Sequence, residues 1–133
     1  MTVQRRAACA ALASAACLLA ACAPLSPAPS VGLLDVTARP AEKALLAGLR
    51  AYDDAQYEMA ESQFRQALAA GLSSPRDRGE AHKRLAFLRC AAGGLDECER
   101  EFRLARAADP AFGLDRSEAG HPVWGPVYRK LLP

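Results

Sequence analysis

Apolar residues are arranged differently in successive parts of the chain. Residues 7–21 are apolar except at Ser14, with Arg5 and Arg6 just before them. Residues 23–40 hold four prolines in eighteen positions, a density that disfavours helix and biases the backbone toward polyproline II. From residue 41 onward the pattern repeats itself. Tyr57, Ala60, Phe64 and Ala67 return as Leu95, Cys98, Phe102 and Ala105, each pair 38 residues apart. This repetition predicts helices over about 42–55, 57–70, 77–92 and 95–108. Asp77 followed by Glu80 reads as a capping box for the third helix. Gly93-Gly94 would end that helix, and Asp109-Pro110 the fourth. Trp124, Val127, Tyr128, Leu131 and Leu132 fall near helical spacing, predicting a short capping helix over about 125–132.

The first apolar run is too short for a membrane-spanning helix, which needs about 20 such residues. A basic start, a short apolar run and small residues at its end describe a secretory signal peptide. Its last four residues, Leu19-Ala20-Ala21-Cys22, resemble the bacterial lipobox. That resemblance implies cleavage before Cys22 and a covalent lipid on its thiol. Cys17 lacks the preceding leucine and Cys9 lies too close to Arg6 to compete. Two or three acyl chains hold a protein on a bilayer where one is marginal. Residue 23 is alanine rather than the aspartate associated with inner-membrane retention, so the expected location is the outer membrane of a Gram-negative bacterium, with the domain facing the periplasm. The expected organisation is a signal peptide at 1–21, a lipidated cysteine with a Pro-rich, disordered tether at 22–40, and a helical domain at 41–133. Val31, Leu33, Leu34 and Val36 would either dock on the domain or a partner, or be incidental to a floppy tether.

Gly48, Tyr57, Ala60, Phe64 and Ala67, answered by Ala86, Leu95, Cys98, Phe102, Ala105 and Pro110, resemble the tetratricopeptide repeat. The expected fold is all-α: a tetratricopeptide-like pair of helical hairpins with a C-terminal capping segment. An unrelated four-helix bundle is the alternative. Gly48 and Ala60, and Ala86 and Cys98 in the second unit, would let helices approach closely, while Phe64 would fill the space toward the next hairpin. Ala51 stands where an aromatic is common, and the first unit lacks a terminal proline. The resemblance implies an inner, partner-binding groove lined by Leu45, Leu49, Tyr52, Glu80, Lys83 and Phe87. Two hairpins are fewer than the roughly three repeats such arrays need, so the tail, residues 31–36 or a partner should cover exposed apolar surface. Trp124 is then either packed on the last hairpin or a partner-binding hot spot.

Composition and charge narrow the function. The 51% hydrophobic content with only 6% aromatic residues reflects alanine and leucine, which favour helix over sheet. The net charge of +2 comes from Arg5 and Arg6; without them 15 basic residues face 15 acidic ones. No positive field remains to argue for nucleic acid. Cys90 and Cys98 are the thiols left once Cys22 is lipidated. Export to an oxidising compartment and their positions four residues either side of Gly94 favour a disulfide, two buried free cysteines being the alternative. His82, His121, Ser62, Ser73, Ser74 and Ser117 form no catalytic or metal-binding motif. Asp96, Glu97, Glu99 and Glu101 alternate with Arg100 and Arg103 as a solvated face would. No enzyme, metal, cofactor beyond the lipid, or small-molecule substrate is expected.

Taken with the lipobox and tether, the stretch Ala81-His-Lys-Arg-Leu-Ala-Phe-Leu-Arg-Cys, the later Cys98, Glu101-Phe102-Arg103, Asp109-Pro110 and Glu118-Ala-Gly-His-Pro-Val-Trp-Gly-Pro-Val-Tyr are similar to the TssQ family, lipoproteins associated with bacterial type VI secretion. The resemblance implies a membrane-anchored accessory protein that contacts secretion subunits or other envelope proteins. It implies no catalytic residue. A pilotin-like or outer-membrane assembly lipoprotein of another system is the competing expectation.

Overall fold

The computed structural model describes residues 39–133; the expected signal peptide, Cys22, the expected tether up to residue 38 and the apolar cluster at 31–36 lie outside the described residues. The described residues form six helices and no strand: α1 (Pro40–Asp53), α2 (Tyr57–Ala70), α3 (Pro75–Ala91), α4 (Leu95–Ala108), α5 (Arg116–Ala119) and α6 (Gly125–Arg129). The all-α expectation therefore holds. α1 packs along α2 and α3 along α4, giving two helical hairpins, with α2 against α3 joining them and α6 lying on α4.

Helix boundaries follow local chemistry. α1 starts at Pro40, two residues earlier than expected, because proline suits the first helical position. α3 also starts two residues early, at Pro75. Ser74 is its cap, its hydroxyl accepting from the Asp77 backbone N–H at 3.3 Å. The expected Asp77–Glu80 capping box is thus replaced: Asp77 sits at the third helical position, and the Glu80 side chain turns to Lys83 and Arg84. α6 stops at Arg129, three residues short of the expected end. The capping segment holds an additional turn, α5, closed by a capping box between Asp115 and Glu118.

Each hairpin turns in the same way. After α1, Gln56 N–H donates to Ala51 carbonyl at 2.7 Å and Ala55 N–H to Tyr52 carbonyl at 3.0 Å. After α3, Gly94 N–H donates to Arg89 carbonyl at 2.9 Å and Gly93 N–H to Cys90 carbonyl at 3.1 Å. Both are Schellman closures, displaced by the 38-residue repeat. The residue that must take a left-handed backbone is Gly93 (φ 84°) in one turn and Ala55 (φ 58°) in the other. Beyond the second turn, the sulfurs of Cys90 and Cys98 lie 2.12 Å apart, at disulfide-bonding distance.

Packing inside the hairpins relies on missing side-chain volume. A Cβ on Gly48 would come within 2.8 Å of the Phe64 ring, so that ring occupies the space over the α1 backbone. Phe64 and its counterpart Phe102 are completely buried, as are Ala60, Ala67, Ala86, Cys98 and Ala105. Burying each phenylalanine contributes about 2–3 kcal/mol. One apolar cluster joins α1 and α2 to Leu72, Ala81 and Leu85; another joins α3 and α4 to Val127 and Tyr128 of α6. Tyr52 packs against both. α3 is therefore buried on several sides. Glu101, the one buried charged residue among the described residues, meets His82 Nδ1 at 2.7 Å, and a buried carboxylate needs such a partner.

The two turns generate a paired prediction. Ala55→Gly should raise stability by about 0.5–1 kcal/mol and Gly93→Ala should lower it by about 1 kcal/mol, because an L side chain is strained at positive φ. Urea titrations followed by helical circular dichroism will measure both. The Cys90→Ala/Cys98→Ala double variant should lose about 2.5 kcal/mol, the entropy of the opened nine-residue loop. A melting temperature shared by oxidised wild type and this variant would refute that contribution.

Candidate interaction site

The expected groove residues are divided by the fold. Leu45 does not line an open surface, being buried among Ala41 and Ala44, and Phe87 is reduced to 3% exposure against Phe102 instead of standing in an open groove. The correction has a plain cause in the tail. Trp124 lies on the Phe87 ring with centroids 4.2 Å apart and planes 21° apart, and His121 stacks on Trp124 at 3.4 Å. Where a longer array would expose an inner face, this chain covers the second hairpin with its own C-terminal residues. Tyr128 completes the cover, its ring 5.2 Å from Phe102 and 6.2 Å from Phe112.

Backbone geometry holds that cover in place. Trp124 Nε1 donates to Glu118 carbonyl at 2.9 Å, and Arg129 donates to Ala119 carbonyl at 3.0 Å. A Cβ on Gly125 would fall 2.5 Å from the Ala119 oxygen, so glycine is required where α6 crosses α5. Arg106 of α4 donates to the Leu131 carbonyl, tying down the end of the tail.

Glu80 and Lys83 are engaged internally as well. Lys83 Nζ lies 2.9 Å from Glu80 and 2.8 Å from Glu118 of α5, with the Phe87 ring 5.9 Å away. Arg84 binds Glu80 at 2.7 Å and lies over the Tyr52 ring at 4.9 Å. Burial alone would raise the Glu80 pKa, but hydrogen bonds from Lys83 and Arg84 outweigh it and hold the carboxyl below the usual range. Burial disfavours the charged form of Arg84, yet Glu80 more than offsets this and raises its pKa. Burial pushes the Tyr52 phenol up despite Arg84. These charges clamp α1, α3 and the tail together.

What remains open is a cleft of about 620 Å³ at the end of the domain where both hairpins turn. Tyr52 and Tyr57 line it from the first hairpin, their rings meeting edge to face at 5.8 Å. Phe87, Leu88 and Ala91 come from α3, Ala92 from its C-cap, and His121, Val123 and Trp124 from the tail. Glu58 and Glu61 of α2 form its acidic edge. Tyr57 and Val123 are 54% and 41% exposed, which is high for large apolar side chains. Of the expected site residues, Tyr52, Phe87 and Trp124 meet in this cleft; Leu49 is packed on the core of the first hairpin and stays outside it.

The cleft residues missed by sequence reasoning are Tyr57, Glu58, Glu61, Leu88, Ala91, Ala92, His121 and Val123. The first three open α2 just after the turn that follows Tyr52, but nothing local shows that residues 121–124 return to them. Among the described residues no cluster of metal-ligating side chains occurs and no helix is long and apolar enough to cross a membrane. The chain matches no protein-family model, no curated protein and no solved structure.

The ion-pair cluster carries a pH prediction. Since Glu80 has a depressed pKa in the folded chain, its stabilisation is present above the unfolded carboxylate value of about 4.3 and is lost as pH falls through the lower folded value. Glu80→Gln should therefore be less stable than wild type at pH 7, and the difference should be smaller at pH 3. Denaturation midpoints at the two pH values provide the check.

Proposed function

We propose that this chain is a membrane-anchored protein–protein interaction module, an accessory lipoprotein of the bacterial type VI secretion system. Lipid on Cys22 holds it to the outer membrane, residues 23–38 link the anchor to the helical domain, and the domain works in the periplasm on secretion subunits. The Cys90–Cys98 pair is a disulfide formed on export. The observation that carries the interaction reading is the aromatic cleft. After the tail has covered Phe87 and Phe102, apolar surface at Tyr57 and Val123 still faces solvent beside Trp124. Large aromatic side chains at a concave surface are the usual anchors of binding interfaces. The lipobox residues Leu19-Ala20-Ala21-Cys22 support the anchor, and the similarity of the domain sequence to TssQ lipoproteins supports the secretion role.

Two substitutions test the two halves of this reading. Cys22→Ser should abolish palmitate labelling and release the protein from membranes; undiminished labelling would refute the anchor. Tyr57→Ala removes an exposed ring and should leave folding intact while lowering co-purification of secretion subunits and release of the tube protein by about tenfold, the loss of a hot-spot residue. Co-purification unchanged in the variant would remove the cleft from the reading.

A further inference from the structure

Resting on the cleft as a docking site, we propose that its partner is a polypeptide segment bearing lysine or arginine among aliphatic or proline residues. The floor of the cleft is built from Tyr52, Tyr57, Phe87 and Trp124. Aromatic faces accept both apolar side chains and cations, the latter through the ring quadrupole. The surrounding charges decide between cation and anion. α1 ends at Asp53 with Asp54 as its C-cap, both exposed, and α2 carries Glu58 in its first turn and Glu61 in the next. On the opposite side α3 supplies Arg84 and Arg89, and both are already engaged, Arg84 with Glu80 and Arg89 with Glu61. The tail contributes His121, stacked on Trp124, and no carboxylate or ammonium to the lining.

Asp53, Asp54 and Glu58 have no basic side chain within ion-pairing distance among the described residues. Helix electrostatics account for Glu58, since an acid in the first turn of α2 is favourable. They do not account for Asp53 and Asp54. These stand at the negative end of α1, where the helix dipole disfavours an acid. The cleft thus combines an aromatic floor with an acidic edge: Glu58 and Glu61 are the carboxylates of its lining, no lysine or arginine joins them there, and Glu58 has no ion-pair partner among the described residues. A basic, apolar segment matches both features, whereas an acidic one would meet repulsion from the unpaired Glu58.

Trp124 is the only tryptophan in the chain and lines the cleft, so its fluorescence reports occupancy directly. The experiment titrates the detergent-solubilised full chain with three ten-residue peptides sharing one Leu/Pro/Val framework and carrying two Lys, two Gln or two Glu. The Lys peptide should shift Trp124 emission at concentrations at least tenfold lower than the Glu peptide. Tyr57→Ala should abolish the shift, and Glu58→Lys or a rise to 0.5 M salt should weaken the Lys peptide several-fold. Equal binding of all three peptides, still lost in Tyr57→Ala, would overturn the basic partner while leaving the cleft a docking site. No shift with any peptide would also overturn it, and the cleft would then stand or fall on co-purification by the Tyr57→Ala protein.

Discussion

The stack of Trp124 on Phe87 is the interaction on which the rest of the domain depends. Two helical hairpins have two outer faces and a single shared interface, so too little of their apolar surface is covered by helix alone. The C-terminal segment makes up the deficit. Trp124 closes the α3 side, Tyr128 and Val127 close α4, and Glu118 brings a carboxylate to Lys83. Through that contact Phe87 is buried to 3% exposure, at the base of the cleft. The same contact raises one wall of the cleft, so folding and the candidate site share one piece of the chain.

Much of the helical framework was legible because small residues recur at a fixed offset. Gly48 and Ala86, Ala60 and Cys98, Ala67 and Ala105 hold the same places in the two hairpins, and bulk at any of them would collide with a neighbouring helix. The glycine turn after α3 was legible for a similar reason. Its twin at Ala55 was not, since alanine carries no signal for a left-handed backbone. Asp77 and Ser74 both suit a helix cap, and the choice fell to Pro75, whose fixed φ starts the helix one residue after the serine. The Asp115-to-Glu118 spacing is also a capping signature, and it marks the short helix that the sequence reading passed over.

The site was less legible because it depends on chain return. Positions transferred from longer arrays assume a neighbouring repeat and an open inner face, and here the tail lies where that face would be. Leu45 shows a second failure of transfer: with alanines around it, it is drawn into the first hairpin's own core. Tyr57, Leu88 and Val123 are far apart in sequence, and only tertiary packing makes them neighbours. Glu80 and Lys83 were marked for a partner, yet their i,i+3 spacing and the nearby Arg84 already allow an internal pair.

The placement of the cysteine pair bears on mechanics as well as stability. Both cysteines belong to the second hairpin, whereas the described chain enters through α1 at Arg39. Tension applied along the chain ahead of Arg39 loads α1 first, and that hairpin contains no cross-link. The hairpin that holds the cysteine pair and the tail folded over it lie downstream of the loaded element. A pull at the entry point would therefore peel helices in sequence order, with the wall of the cleft formed by α3 and the tail the last part to be disturbed.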